Sequence, residues 1–589
     1  MRRSYSVLAT AALLVTAGTV PALAASGGAN SPHATSTTPY VGGTLNALGA
    51  GDVDYLDPNL TYYTAGYLVA RAFSRQLYSY PAVQGATTKT EPDLATGMPV
   101  ISNGGKTYTI TIRSGANWNT SPARQVTAAD EVRGVKSTCN PYIPSGGLPD
   151  FESLIAGMQS FCSKFATVAA TPAAIGHFIE NTPLPGVSAV NAQTVRFTLT
   201  HAASYFTDEL TLPALSPRPI EMDGYLPGSA SEAQHTVSDG PYQVTSYSPG
   251  HSIVLNRNAA WQAATDPLRK AYVDRIDITE GQQQNTVTSR VDSDSQSADV
   301  EFDQGPTYPQ ATTLKAQHDP RLVVGSQYSS NPYLVFNTVS PNSQGAMKNV
   351  DVRRAISDAL SRHALLQSFD GLSFGHPLSH VLPSGIDGSQ NFDDYPHNLT
   401  LAKRLLAASG HPHPTLKLLY RPVSATNTDI AHAVVAELKR AGITVKLVQA
   451  PGQFTIYTKY LEVPSAARQG KWDISMAGWG PDWYGDSAVS FFKPLFDGRS
   501  EPPQSSDFGL YNSHAENALI DRANTAAAGQ SAALWAKADR QVMSDAAVYP
   551  LDDPDEPLLH GLQVHNFVFM PPLQQGDYTN MWLTQSASG

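Results

Sequence analysis

Trp472, Ile474 and Met476 alternate with Asp473 and Ser475, the period of an extended segment. The alternation stops at a loop, Gly478-Trp-Gly-Pro-Asp-Trp-Tyr-Gly-Asp486. Gly478, Gly480 and Gly485 allow close backbone approach, Trp479, Trp483 and Tyr484 supply flat apolar walls, and Asp482 and Asp486 supply negative charge. Acids flanked by tryptophan are costly to bury unless a positive partner arrives, so the loop reads as a pocket lip for an ammonium-bearing ligand. The plainer reading is ordinary strand-to-turn punctuation.

The same pattern predicts elements along the rest of the chain. Strands fall at 42–48, 107–113, 195–200, 252–256, 272–278 and 297–303, with helices over 65–77 and 127–137, the latter opened by the capping-box spacing of Thr127 and Asp130. Gln304-Gly-Pro306 ends this first region. The second is more regularly α/β, with a strand at 333–337, a helix tracing Val352, Ala355, Ile356, Ala359 and Leu360, and a helix from Leu399 stopped by Gly410. A βαβ unit follows, strand 416–420, helix 429–440 and strand 444–448, before the strand at Trp472. Such alternation predicts a mostly parallel sheet, which binds ligands at the carboxyl ends of its strands. Arg421 directly follows one of those strands and Asp482 follows another. Helices at about 516–527 and 532–547 lead to a second crossing at Val548-Tyr-Pro-Leu551. One lobe inserted in another through two crossings is a hinged clamshell. The expected boundaries are 42–304 for lobe I, 305–548 for lobe II and 549–589 for a return to lobe I.

Composition narrows the class. A chain of 589 residues exceeds one core, and 41% apolar with 15% charged residues is globular. A net charge of −11 without clustered Lys and Arg sets nucleic acid aside as a partner. Arg2 and Arg3, the small apolar run from Val7 to Val20 and Ala22-Leu23-Ala24 predict a cleavable export signal over 1–24. The Ser/Gly/Thr/Pro-rich 25–41 then reads as a flexible leader. The apolar run is too short to span a membrane, and no cysteine precedes Cys139 to carry a lipid. The expectation is a chain secreted to the extracellular or cell-wall space without a lipid anchor. Export favours a disulfide between Cys139 and Cys162.

Catalytic and metal motifs are weak. Gly371-Leu-Ser-Phe-Gly375 has the spacing of a serine-hydrolase elbow, but His376-Pro377 follows where a helix should begin. His376, His380, His411 and His413 sit in Pro-rich loops without metal-ligand spacing. Asp52, Asp54 and Asp57 lack the glycine and terminal glutamate of a calcium loop. No enzyme, cofactor or metal is expected; a secreted hydrolase using Ser373, or Asp482 with Asp486, is the enzymatic alternative.

With these residues in view, the chain resembles the extracytoplasmic solute-binding proteins of ABC importers, the dipeptide/oligopeptide-binding family 5, in its actinobacterial type. The resemblance rests on Tyr55-Leu-Asp-Pro58, Tyr108-Thr-Ile-Thr-Ile112, Thr127-Ala-Ala-Asp-Glu-Val132, Gly240-Pro-Tyr242, Tyr333-Leu-Val-Phe-Asn-Thr338, Val352-Arg-Arg-Ala-Ile356 and Gly478-Trp-Gly-Pro-Asp482. It implies an α/β fold of two lobes with an extra small subdomain, mixed sheets flanked by helices and two hinge crossings. It further implies a monomer that captures a short peptide or amino-acid-like ligand and hands it to ABC permease subunits. Asp482 would pair with the peptide's α-ammonium, and Gly478 and Gly480 would present backbone to the peptide main chain. Arg421-Pro422 looks like the Arg-Pro that meets the ligand carboxylate in dipeptide binders, with Val423 where those have tyrosine and Met476 where an oligopeptide binder has arginine. Tyr62, Tyr63 and Thr64 match the first-lobe loop lining the cleft. The same resemblance leaves room for a role without an importer, in β-lactam-type biosynthesis or peptide signalling.

Overall fold

A computed structural model describes residues 38–293, 297–325, 331–452, 454–502, 505–526 and 529–584. The export signal and most of the leader lie outside these residues. From Pro39 onward the chain forms one compact unit.

Two five-stranded sheets organise it. The first contains β1 (Thr44–Leu48), β2 (Tyr242–Ser248), β3 (Ser252–Arg257), β4 (Arg275–Thr279) and β5 (Asp299–Glu301) in the order β2-β3-β4-β1-β5. β1 runs parallel to both β4 and β5, pairing Leu45 with Ile276 and Ala47 with Val300, while β2, β3 and β4 are antiparallel neighbours. A four-stranded antiparallel sheet, in the order 100–102, 107–111, 194–198 and 187–191, builds a smaller layer beside it. Its alternation is the expected one, with Tyr108, Ile110, Val195 and Phe197 buried. Cys139 and Cys162 are disulfide-bonded in this region, 23 positions apart. Closing a loop of that length stabilises by about 3 kcal/mol.

The second sheet contains β6 (Asn331–Phe336), β7 (Thr415–Tyr420), β8 (Thr444–Gln449), β9 (Ile474–Trp479) and β10 (Val548–Pro550) in the order β8-β7-β9-β6-β10. β7 is parallel to β8 and β9, whereas β6 is antiparallel to β9 and β10. The sheet is therefore mixed, because β6 starts at the edge where the other four end. Leu334, Phe336, Leu418, Ile474 and Met476 share a core with Val352 and Ile356 of the helix Val350–Ala359. On the opposite face Tyr333, Val335, Leu419 and Ala477 join the large core of the rest of the molecule.

β9 is covered on both faces. Asp473 and Ser475 are therefore fully buried. Asp473 stays satisfied by Lys417 N at 2.8 Å, Asn342 Nδ2 at 3.0 Å and the Ser340 hydroxyl. Trp472 lies in the large core, not beside Ile474.

Between the two sheets the chain passes twice. Leu322–Gly325, on the way out, pairs antiparallel with Glu556–Leu559, on the way back. The segment read as the second crossing is the last strand of the second sheet, β10, and the connection begins at Leu551.

Candidate functional site

Four strands of the second sheet deliver their carboxyl ends to one edge, where a cavity of about 490 Å³ opens. That lies within the ~300–1,000 Å³ of small-molecule sites. Arg421 follows β7, the loop Gly478–Asp482 closes β9, and Leu551 and Asp552 follow β10. Tyr62, Tyr63 and Thr64 face them from the start of the helix Thr64–Phe73.

Asp54 shapes that opposing loop. Its carboxylate accepts from the Thr61 hydroxyl and from the amides of Tyr62 at 2.6 Å and Tyr63 at 3.2 Å. Asp52 instead accepts from Tyr247 Oη at 2.9 Å and Gly250 N at 2.7 Å, and Asp57 pairs with Arg218 at 2.6 Å. The three acids thus serve three separate structural tasks.

Asp482 is half-buried and lines the cavity. Tyr62 Oη donates to its two oxygens at 2.9 and 3.0 Å, and its amide donates to Ser490 Oγ at 3.1 Å. Burial and the like charge of Asp150 push its pKa well above the usual carboxylate range, and the Tyr62 bond only partly offsets this. Trp479 also lines the cavity, its indole N–H donating to Ser490 O at 2.8 Å.

Arg421 lines the same cavity with its guanidinium 5.9 Å from the Tyr457 ring centroid. Among the described residues nothing accepts its hydrogen bonds or forms an ion pair with it, and Nε is buried. Tyr63 stacks on Phe454 with ring centroids 4.7 Å apart, closing another wall.

The loop's glycines differ in purpose. A Cβ on Gly478 would meet only Pro332 Cα at 4.0 Å, and one on Gly480 only Gln574 Nε2 at 3.5 Å, so both leave open volume. Gly485 has φ +104°, and a Cβ there would lie 2.5 Å from Asp208 Oδ2. Here the backbone itself requires glycine.

Of the nine residues expected to bind ligand, Asp482, Arg421, Gly478, Gly480, Trp479, Tyr62, Tyr63 and Thr64 line the cavity. Trp483 does not, which corrects the expectation. It is 1% exposed, its ring stacks on Tyr205 at 5.8 Å and its N–H donates to Asp486 O at 2.9 Å. Asp486 accepts from Ser204 Oγ at 2.7 Å, outside the cavity. Ser373 ends a short 3₁₀ turn after Asp370, not a strand-to-helix elbow. Among the described residues no group of three His, Cys, Asp or Glu is placed to hold a metal.

Sequence reasoning missed Phe454, Tyr457, Tyr308, Phe369 and Asp552 as lining residues. Periodicity carries no sign of them, since most sit on loops or helix ends. The position of Asp552 just after a strand was the one available signal.

Comparison with known proteins agrees with this geometry. Residues 89–501 match the bacterial extracellular solute-binding proteins, family 5 middle. The periplasmic oligopeptide-binding protein OppA of Salmonella typhimurium is 24% identical over 468 residues, covering 76% of this chain and 76% of its own. Among solved structures, the clavulanic acid biosynthesis oligopeptide binding protein 2 superposes with a TM-score of 0.77 at 26% identity, covering 93% of this chain and 96% of that one. DppA from Helicobacter pylori, in complex with the peptide STSA, gives a TM-score of 0.73 at 21% identity over 93% of this chain and 99% of its own, a likeness of fold. With well over half its length matched, the chain belongs to the bacterial extracellular solute-binding proteins of family 5.

Proposed function

We propose that the protein captures a short peptide in the cleft between its lobes, for uptake by an ABC importer. The observation that carries this is the pairing of opposite charges at one sheet edge. Arg421 and Asp482 follow the adjacent strands β7 and β9, both line the cavity, and the guanidinium has no partner among the described residues. A peptide supplies both complements, an α-ammonium for Asp482 and an α-carboxylate for Arg421, as charge-assisted hydrogen bonds. Gly478 and Gly480 leave room for its main chain. Contacts to main chain and termini bind many sequences, so specificity is broad.

Closure follows from ligand contact with both halves. The lobes, 42–304 with the return that follows Pro550 and the second-sheet lobe through Pro550, hinge about the paired segments Leu322–Gly325 and Glu556–Leu559. The family description is extracellular, and among the described residues no helix is long and apolar enough to cross a membrane. The family description supports an exported binding protein; that it works as a monomer with permease subunits and performs no chemistry itself is part of the proposal.

Calorimetry with di- and tripeptides tests the reading. Saturable binding that disappears in Asp482→Asn supports it, and absence of binding to every short peptide refutes it. A second reading is supported by the likeness to a protein named for clavulanic acid biosynthesis: the same cleft serves a producer of secondary metabolites without an importer. Disrupting the gene separates the two. Loss of metabolite with peptide uptake intact favours the second.

A further inference from the structure

The cavity is unbalanced in charge. Its described lining residues include four carboxylates, Asp303, Glu462, Asp482 and Asp552, against one guanidinium, Arg421. Asp303 is occupied, accepting from Ala50 N at 2.8 Å and Gly51 N at 2.7 Å. Asp552 is different. It is 4% exposed, opens on the cavity, and accepts no hydrogen bond to its carboxylate among the described residues.

Its backbone is fixed on both sides. Leu378 N donates to Leu551 O at 3.1 Å and Asp553 N to His376 O at 2.8 Å, which fixes the main chain that carries the side chain at the cavity. A Cβ on Gly375 would lie 2.9 Å from Asp552 Oδ2, so the carboxylate rests directly on backbone. Burial first, and then the like charge of Asp553, raise its pKa to about 7. A buried acid with no donor and no cation is unfavourable unless something positive completes it. Aromatic faces stand beside it. Tyr308 and Phe369 line the same end of the cavity with ring centroids 5.2 Å apart, the surroundings that favour a ligand cation.

Sheet order gives the register. Arg421 lies one strand from Asp482 on one side, and Asp552 follows β10, two strands away on the other, about 10 Å at the usual spacing. A peptide with its ammonium at Asp482 and its carboxylate toward Arg421 sends its first side chain toward Asp552. We infer that Asp552, walled by Tyr308 and Phe369, is a subsite for a basic first side chain, so that the preferred ligands are short peptides beginning with arginine or lysine. This rests on the peptide-binding reading above.

The test is calorimetry on the full chain with Arg-Ala-Ala, its uncharged isostere citrulline-Ala-Ala, Ala-Ala-Arg, and agmatine as a cation without peptide groups. The expected result is that Arg-Ala-Ala binds at least about tenfold more tightly than citrulline-Ala-Ala. Asp552→Asn should bring that ratio close to one while leaving citrulline-Ala-Ala within about threefold of its original affinity. Because the carboxylate accepts no hydrogen bond, Asp552→Asn should keep or raise the melting temperature, and Asp552→Ser serves as a second variant. Equal binding of the two isosteres, a preference for Ala-Ala-Arg alone, or a ratio that survives both variants overturns the inference while peptide binding stands. If no peptide binds but agmatine does, in an Asp552-dependent way, the peptide reading falls and the cation subsite remains. If no probe binds, both fall.

Discussion

Tyr62 and Asp482, 420 positions apart in the chain, meet across the cleft, the Tyr62 hydroxyl donating to both carboxylate oxygens at 2.9 and 3.0 Å. The bond ties the loop after β9 to the loop before the helix Thr64–Phe73. Burial raises the pKa of both groups, so the phenol remains a donor at any physiological pH. On the proposed reading the two residues serve as ligand anchor and latch at once.

Asp482→Asn removes the charge while keeping the shape. Losing one partner of a buried charge pair costs about 2–5 kcal/mol, so Kd for a short peptide should rise at least about 30-fold. Tyr62→Phe keeps the charge and loses the latch, and a smaller rise is expected, about 1 kcal/mol. Titration calorimetry on both variants checks the order. Tyr62→Phe weakening binding more than Asp482→Asn would contradict the assignment of the ammonium to Asp482.

Arg421 carries the opposite expectation about the ligand's other end. Amidating the C-terminus of a peptide should weaken binding to the native protein, and Arg421→Gln should bind acid and amide forms equally. The relevant measurement is a double-mutant cycle between residue and ligand terminus. A coupling energy near zero would place the carboxylate elsewhere in the cleft.

Much of this arrangement was legible in the sequence, for identifiable reasons. Alternation in β7 and β9 is strong, and the first polar residue past a parallel strand falls at a binding edge whatever the rest of the fold does. That logic put Arg421 and Asp482 at the edge where the cavity opens. It failed at Trp483, where composition alone does not say whether an aromatic ring faces a cavity or a neighbour such as Tyr205. The partners that allow Asp473 to be buried, Ser340, Asn342 and Lys417, are announced by no local pattern. Asp552 escaped notice for a related reason: a lone acid after Tyr-Pro-Leu reads as a turn until the sheet order places it beside the other two.

A second closure contact lies away from the ligand. Lys493, in the helix Val489–Phe496 after β9, reaches Asp150 at 3.1 Å and Pro149 O at 3.1 Å on the first-lobe side, with both charged side chains largely buried. Glu209 nearby is fully buried with no partner for either oxygen, and burial together with Asp150 and Asp482 pushes its pKa far up. Lys493 is the compensating cation of this acidic group. Lys493→Met should favour opening, so apparent peptide affinity falls at least about tenfold although no ligand contact is lost. Small-angle scattering of the unliganded variant should show a larger radius of gyration than the native protein. Unchanged affinity and unchanged scattering would show that the contact does not hold the lobes together.

Stability against pH turns on a different acid. Glu516, in the helix His514–Asn524, is fully buried, and among the described residues neither of its oxygens is hydrogen-bonded. Burial first, then the charges of Asp539, Asp545 and Asp497, raise its pKa to about 9. Asp539, the first of these charges, is held in place by Val381 N at 2.8 Å and Leu382 N at 3.2 Å. In the unfolded chain the Glu516 carboxyl titrates near 4.3. Between that value and about 9 the folded state holds a proton the unfolded state has released, so stability falls as pH rises across this window. Glu280, at about 9, and Asp239, at about 8, act in the same direction, whereas Asp266, held at about 2 by Arg269 and Arg75 against its burial, stabilises above the unfolded carboxyl range and loses that contribution as pH falls toward 2. The melting temperature of the native protein should therefore decline from pH 5 to pH 9, and Glu516→Gln, isosteric and unable to ionise, should decline less steeply. Parallel curves for the two proteins over that range would mean that Glu516 is already ionised in the fold and that an unseen donor supports it.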